Sequence, residues 1–199
     1  MPSNINAGLC GNFNTQLSYM KKALVISIIL FAFTYSIAQT QLTPVVADSK
    51  IHFVIKNFGL NTSGDFSGLK GTIQFDPSNI STALFDVSID PKTINTDNGM
   101  RDNHLRKAEF FDVEKHNSIT FKSTKVTNAS KSGRYAINGE LTIKGVTKPV
   151  GFEFGVTPKE GGYVFDGEFE INRRDFGVGG SSISMADMLK VSLSVFAKK

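Results

Sequence analysis

From Lys50 to the C-terminus, apolar and polar residues alternate with a period of two, the signature of half-buried strands. Ile51, Phe53 and Ile55 form the first run and Gly71, Ile73 and Phe75 the second; Ala83, Phe85, Val87 and Ile89 form the third and Ile119, Phe121 and Ser123 the fourth. The later runs are cleaner: Tyr135, Ile137, Gly139, Leu141, Ile143; Val150, Phe152, Phe154, Val156; Tyr163, Phe165, Gly167, Phe169, Ile171; and Leu189, Val191, Leu193, Val195. That makes eight strands, with Asp65 to Leu69 as a candidate ninth, enough to close a sheet. Turn chemistry marks Asp76-Pro77, Asn138-Gly139, Lys144-Gly145, Pro158 to Gly162 and Gly177 to Gly180. Short links favour antiparallel pairing, and crossover helices are lacking, so the fold class is all-β: a sandwich or an up-and-down barrel. One segment departs from the pattern. From Asn98 to Phe111, Met100, His104, Leu105 and Ala108 fall at helical spacing, which predicts one short helix.

One face of the alternation is almost wholly Phe, Ile, Val and Leu. The residues that share its parity, and are expected to line the interior, are Phe53, Phe85, Val87, Phe121, Ile137, Leu141, Phe152, Phe154, Phe165, Phe169, Val191 and Leu193. An eight-stranded barrel is wide enough either to fill itself with side chains or to hold one slender ligand. Gaps opposite the small Ala83, Gly139 and Gly167 favour a hollow interior, while inward Phe is equally what a filled core contains. The pattern leaves both open.

Four further stretches carry a family likeness. RDNHLRKAEFFDVEKH from Arg101, SITFKSTKV from Ser118, GELTIKGVTKPV from Gly139 and INRRDFGVGG from Ile171, with DSKIHFVIKNFG from Asp48, resemble the YceI-like family in order and spacing over Thr43 to Lys199. The resemblance implies a lipocalin-like barrel, exported to the bacterial periplasm or secreted, that binds a polyisoprenoid or isoprenoid quinone and needs no cofactor. Three positions depart from the family pattern: an aromatic near the start of the first strand is missing, Asp48 stands where a His commonly precedes the Ser, and His116-Asn117 replaces aromatic-Pro. They affect the shape of the pocket rather than the barrel.

The N-terminus reads as targeting. Lys21 and Lys22 precede an apolar run from Ala23 to Ala38, with Ser36 and Ala38 at the small-residue positions, so residues 20–38 are expected to be a signal peptide cleaved after Ala38. The run is too short for a stable membrane span. Residues 1–19 carry no charge and are read as an artefactual extension before a true start at Met20, leaving residues 39–199 as a single domain. Cys10, the one cysteine, lies in that extension, so the mature domain has no thiol and no disulfide.

Composition narrows the classes of function. Of 199 residues, 17 are Phe, 4 Tyr and none Trp, a set that adds apolar area with few polar groups to satisfy. The net charge of +4 falls to +2 without Lys21 and Lys22, and cations and anions are interspersed. That argues against nucleic acid, which calls for a basic stripe. The three histidines, 52, 104 and 116, show no metal-ligand spacing. The expected partners are an apolar lipid and, as an open alternative, a second copy of the chain.

Three functions remain in play: a lipid carrier; an enzyme acting on an apolar substrate through His104 and Asp102; and an envelope interaction module with a filled barrel and an exposed apolar patch. Arg101 and Asp102 read as a capping and ion-pair device opening the helix, and Gly177 to Gly180 as a flexible loop. For a lipid with a polar head, the candidates at the barrel mouth are Arg101, His104, Arg106, Arg173 and Arg174, on the two longest connections.

Overall fold

The structure is a computed structural model that describes residues 40–199. The proposed leader, its cleavage site, the extension and Cys10 lie outside the described residues. Ten strands follow one another: β1 (Gln41–Pro44), β2 (Lys50–Asn57), β3 (Leu60–Phe66), β4 (Lys70–Gln74), β5 (Leu84–Ile89), β6 (Ile119–Asn128), β7 (Arg134–Ile143), β8 (Val146–Lys159), β9 (Gly162–Asn172) and β10 (Met185–Lys198). The helix α1 (Gly99–Leu105) lies between β5 and β6.

All pairings are antiparallel, and from β4 to β10 each strand lies beside the next. Closure comes from the N-terminal strands. β2 runs along β10 from Asn57↔Met185 to Lys50↔Ser194, and β1 continues along the same edge with Thr43↔Lys198 and Pro44↔Ala197. On its other side β1 pairs with β4 through Leu42↔Ile73, while β2 pairs with β3 from Asn57↔Leu60 to Ile51↔Phe66. β1 with β2, and β3 with β4, are therefore two staves each broken once, by the single 3-10 turn Val46–Asp48 and by residues 67–69. The barrel has eight staves and is an up-and-down antiparallel barrel.

The candidate ninth strand dissolves into this scheme: Asp65 and Phe66 end β3, and residues 67–69 are the break. β1 is too short to show a period. β3 shows none, because it opens on the exposed Leu60 and continues through Asn61, Thr62, Ser63 and Gly64. Asn138-Gly139 is not a turn. It lies within β7, opposite the register shift of β6 between Ser123 and Lys125. The expected Lys144-Gly145 turn does form, with left-handed φ of 51° and 75° that matches the right-handed twist of the strands it joins.

The helix is shorter than its pattern. Asn98 caps it by accepting from the Arg101 backbone N–H at 3.0 Å. It stops after Leu105, whose carbonyl accepts from Phe111 N, so the chain turns and sends Phe110 and Phe111 toward the barrel. No helix among the described residues is long and apolar enough to cross a membrane.

One end of the barrel is solid. Phe75 is fully buried with its ring edge-on to Tyr135, Tyr163 and Phe165, at centroid distances of 5.3, 5.5 and 5.3 Å. Leu42 and Ala197, both with no exposed surface, complete this plug beside the closing strand. Replacing Phe75 with Ala is expected to cost about 3–5 kcal/mol, read as a fall in the urea midpoint, because the rings around it cannot collapse into the space. A loss below about 1 kcal/mol would mean that the end is not packed as described.

Candidate functional site

Above the plug the barrel is hollow. A cavity of about 260 Å³ is lined almost entirely by apolar side chains, drawn from β2 to β10 and from the cover described below. All twelve residues placed inward by parity lie on its wall. Glycine makes the room in a different way from a simple gap. A Cβ on Gly139 would lie 2.5 Å from Phe121 Cζ, and one on Gly64 would lie 2.6 Å from Phe53 Cζ. The phenyl rings lie over the glycines of neighbouring strands, against the wall, in space that any larger residue there would take. Phe152 does the same at Gly167 and stacks on Phe169 with ring centroids 4.6 Å apart and planes at 17°.

The far end from the plug is capped by connections. In an up-and-down barrel alternate links fall at the same end, and here residues 58–59, 90–118, 144–145 and 173–184 meet. The last of these is tied to the other three. Phe58 N donates to Ser184 O at 2.7 Å, Gly179 N to Glu109 O at 2.9 Å, and Lys144 Nζ to Gly177 O at 2.9 Å. Phe110, Phe111, Phe176 and Val178 turn their side chains into the cavity from this cover.

Arg173 holds the loop. Only 3% exposed, it donates from Nε to Ala186 O, from Nη1 to Val178 O and Gly180 O, and from Nη2 to Asp187 Oδ1 at 2.8 Å and to Met185 O at 3.5 Å. Those five bonds use every N–H of the guanidinium. The loop is thus pinned rather than free, and Arg173 lines the cavity with no donor to spare. Arg174 is half exposed and reaches only Asp187, at 3.4 Å. Arg106 is likewise occupied, donating to Lys92 O, Ile94 O and Asn103 Oδ1.

Arg101 and Asp102 do not form an ion pair with each other. Asp102, 6% exposed, accepts from Thr96 N at 2.9 Å and Thr96 Oγ1 at 2.5 Å. Arg101 donates from Nε to the same Oγ1 at 2.7 Å and from Nη2 to Thr96 O at 2.6 Å. Thr96 thereby relays the carboxylate to the guanidinium, and Arg101 lines the cavity. Sequence reasoning missed Thr96, which sits in an aperiodic stretch with no motif. His104 lies off the cavity wall, half exposed, with Nε2 2.9 Å from Glu109 Oε1 and its ring against Phe110. The structure therefore does not bring His104 and Asp102 together on the cavity wall. No group of three His, Cys, Asp or Glu residues among the described residues is arranged to hold a metal ion.

Where β3 lacks a strand partner, the wall is polar. Its outer edge meets the following chain through the single bridge Asp65↔Asn95; Thr62 of β3, with Thr96 and Arg101 of the following chain, lines the cavity there, and Asn57 adds a polar group at the end of β2. Outside, Phe58 is 79% exposed at a left-handed φ of 51°, an unfavourable place for an aromatic, and shares a shallow depression with Ile183.

Comparison with known proteins places this architecture. The model of the YceI-like domain matches residues 42–197. A UPF0312 protein of Vibrio cholerae is 31% identical over 170 residues, covering 80% of this chain and 89% of its own. A second relative, from Pectobacterium atrosepticum, is 43% identical over 101 residues, but the match spans about half of each protein, 50% and 52%. Among solved structures, Burkholderia cenocepacia BcnA superimposes with a TM-score of 0.73 at 24% identity, covering 78% of this chain and 99% of BcnA. A polyisoprenoid binding domain from Saccharophagus degradans gives 0.63 at 13% identity, covering 80% and 98%. At those identities both share the fold.

The pinned loop yields a clear expectation. Arg173→Ala should lower stability by about 2–4 kcal/mol, since several charge-assisted bonds are lost and backbone carbonyls are left unpaired. Hydrogen exchange should speed up at residues 178–186 in particular. Unchanged exchange there would show that the loop holds itself.

Proposed function

The chain belongs to the YceI-like family, and we propose that it carries or sequesters a long, slender isoprenoid lipid, a polyisoprenoid or an isoprenoid quinone, inside its barrel. The observation that supports this most is the hollow, apolar lumen above the Phe75 plug, with rings laid against its wall rather than across it. A closed apolar tube accepts a chain and rejects water, and burial supplies the energy. At about 0.8 kcal/mol per CH2, one five-carbon unit contributes on the order of 3 to 4 kcal/mol. Several units offset the lost freedom of a flexible chain.

The protein works as a binding module rather than by chemistry of its own, in keeping with the binding domain among its structural neighbours. Its place is the periplasm or the medium, after removal of residues 20–38, where an apolar lipid needs a sheltered route through water. The basic pair and apolar run at Lys21 to Ala38 support that address.

Organic extraction of protein purified without detergent, followed by mass spectrometry, tests the proposal. A stoichiometric isoprenoid is expected, and it should be lost in Val191→Trp, which sets an indole between Phe53 and Phe169 in the lumen while leaving the circular dichroism spectrum unchanged. An extract with no lipid, or an equal load in the blocked variant, would overturn it.

A further inference from the structure

Two charged side chains, Arg101 and Arg173, line the cavity, and they differ in one respect. All five N–H groups of Arg173 are committed to the protein. Arg101 spends Nε and Nη2 on Thr96, while both N–H groups of Nη1 have no partner among the described residues, and no carboxylate among them lies within ion-pair distance of its guanidinium. The side chain is half-buried beside an apolar lumen, where an unpaired charge is costly. It is nonetheless held in place, because Thr96 Oγ1 is itself fixed by the buried Asp102. A buried threonine and a buried aspartate thus fix a cavity-lining guanidinium whose Nη1 is left unpaired.

We propose that Arg101 Nη1 binds an anionic oxygen head, a carboxylate or a phosphate, on the end of the apolar chain that fills the lumen. This rests on the lumen reading above and adds the class of head group. Two further polar residues of the wall, Asn57 at the end of β2 and Thr62 on β3, give the head a region where it need not be stripped of every hydrogen bond. A neutral head such as an alcohol could accept one bond there. An anion gains a charge-assisted bond that needs no rearrangement of the site, and removes the unpaired charge. Arg106, Arg173 and Arg174 are left as parts of the cover: the first two are committed to the protein, and the third stands outside the cavity.

The test uses delipidated protein and two ligands with the same tail, farnesyl phosphate and farnesol, titrated by calorimetry. Wild type is expected to bind farnesyl phosphate about ten- to a hundredfold more tightly, the range of one charge-assisted hydrogen bond. Arg101→Gln should remove that preference while holding farnesol affinity within about twofold, and Arg101→Lys should restore part of it, since a point charge replaces the fork. Equal affinity of the two ligands for wild type would overturn the proposal without reference to any variant. So would parallel loss of both ligands in a folded Arg101→Gln protein, which would mark Arg101 as structural. Failure of wild type to bind either ligand would instead sink the lumen reading itself.

Discussion

A four-residue strand decides whether this sheet is a barrel. Gln41 and Leu42 lie against Gln74 and Ile73 of β4, while Thr43 and Pro44 lie against Lys198 and Ala197 of β10, so β1 is the seam that joins the first and last parts of the sheet. Without it the sheet would not close, and β4 together with the last residues of β10 would offer open edges to other chains. The seam is reinforced where it is needed: Leu42 and Ala197 are wholly buried and share one apolar core with Phe75 and the rings around it. Closure and the solid end of the barrel are one structural event.

The other end is organised by polar groups. A filled aromatic plug at one end and a cover of connections at the other leave the space between them undersupplied with side chains. Glycines at 64, 139 and 167 let Phe53, Phe121 and Phe152 lie against neighbouring strands, which converts bulky residues into lining instead of filling. The cover could not be held by burial alone, since its backbone carbonyls would be left unpaired, and Arg173 satisfies two of them, at Val178 and Gly180, while tying the loop to Met185 and Ala186 at the start of β10. The same residue type in the connection between β5 and β6, Arg101, is fixed through Nε and Nη2 and unpaired at Nη1. Two arginines that the sequence presents alike thus differ in the structure: one is wholly committed to the protein and the other keeps unpaired donors at the cavity wall.

The inward wall was legible because period two fixes which face each strand residue takes, and a closed barrel has one inside. The pairing of strands around the barrel followed from short links. What could not be read was any feature whose partners are backbone atoms or distant in the chain. Arg173 looks like a surface cation until the loop folds back onto it, and Thr96 has no motif, since its role arises only when α1 brings Asp102 and Arg101 to it. β3 escaped notice because Asn61, Thr62 and Ser63 at a free edge carry no alternation. The glycines were read as gaps, but the rings that cover them come from other strands, and no single-strand pattern shows that.

The lumen is lined rather than filled by its own side chains, with room for a slender apolar chain. A crystal structure of delipidated protein soaked with 1-bromohexadecane, with the bromine located by anomalous scattering, checks this. A bromine peak is expected on the barrel axis between Phe121 and Phe169, with Phe53, Phe121 and Phe152 still lying over Gly64, Gly139 and Gly167. Phenyl rings swung inward to fill the lumen, with bromine found only on the outer surface, would contradict it.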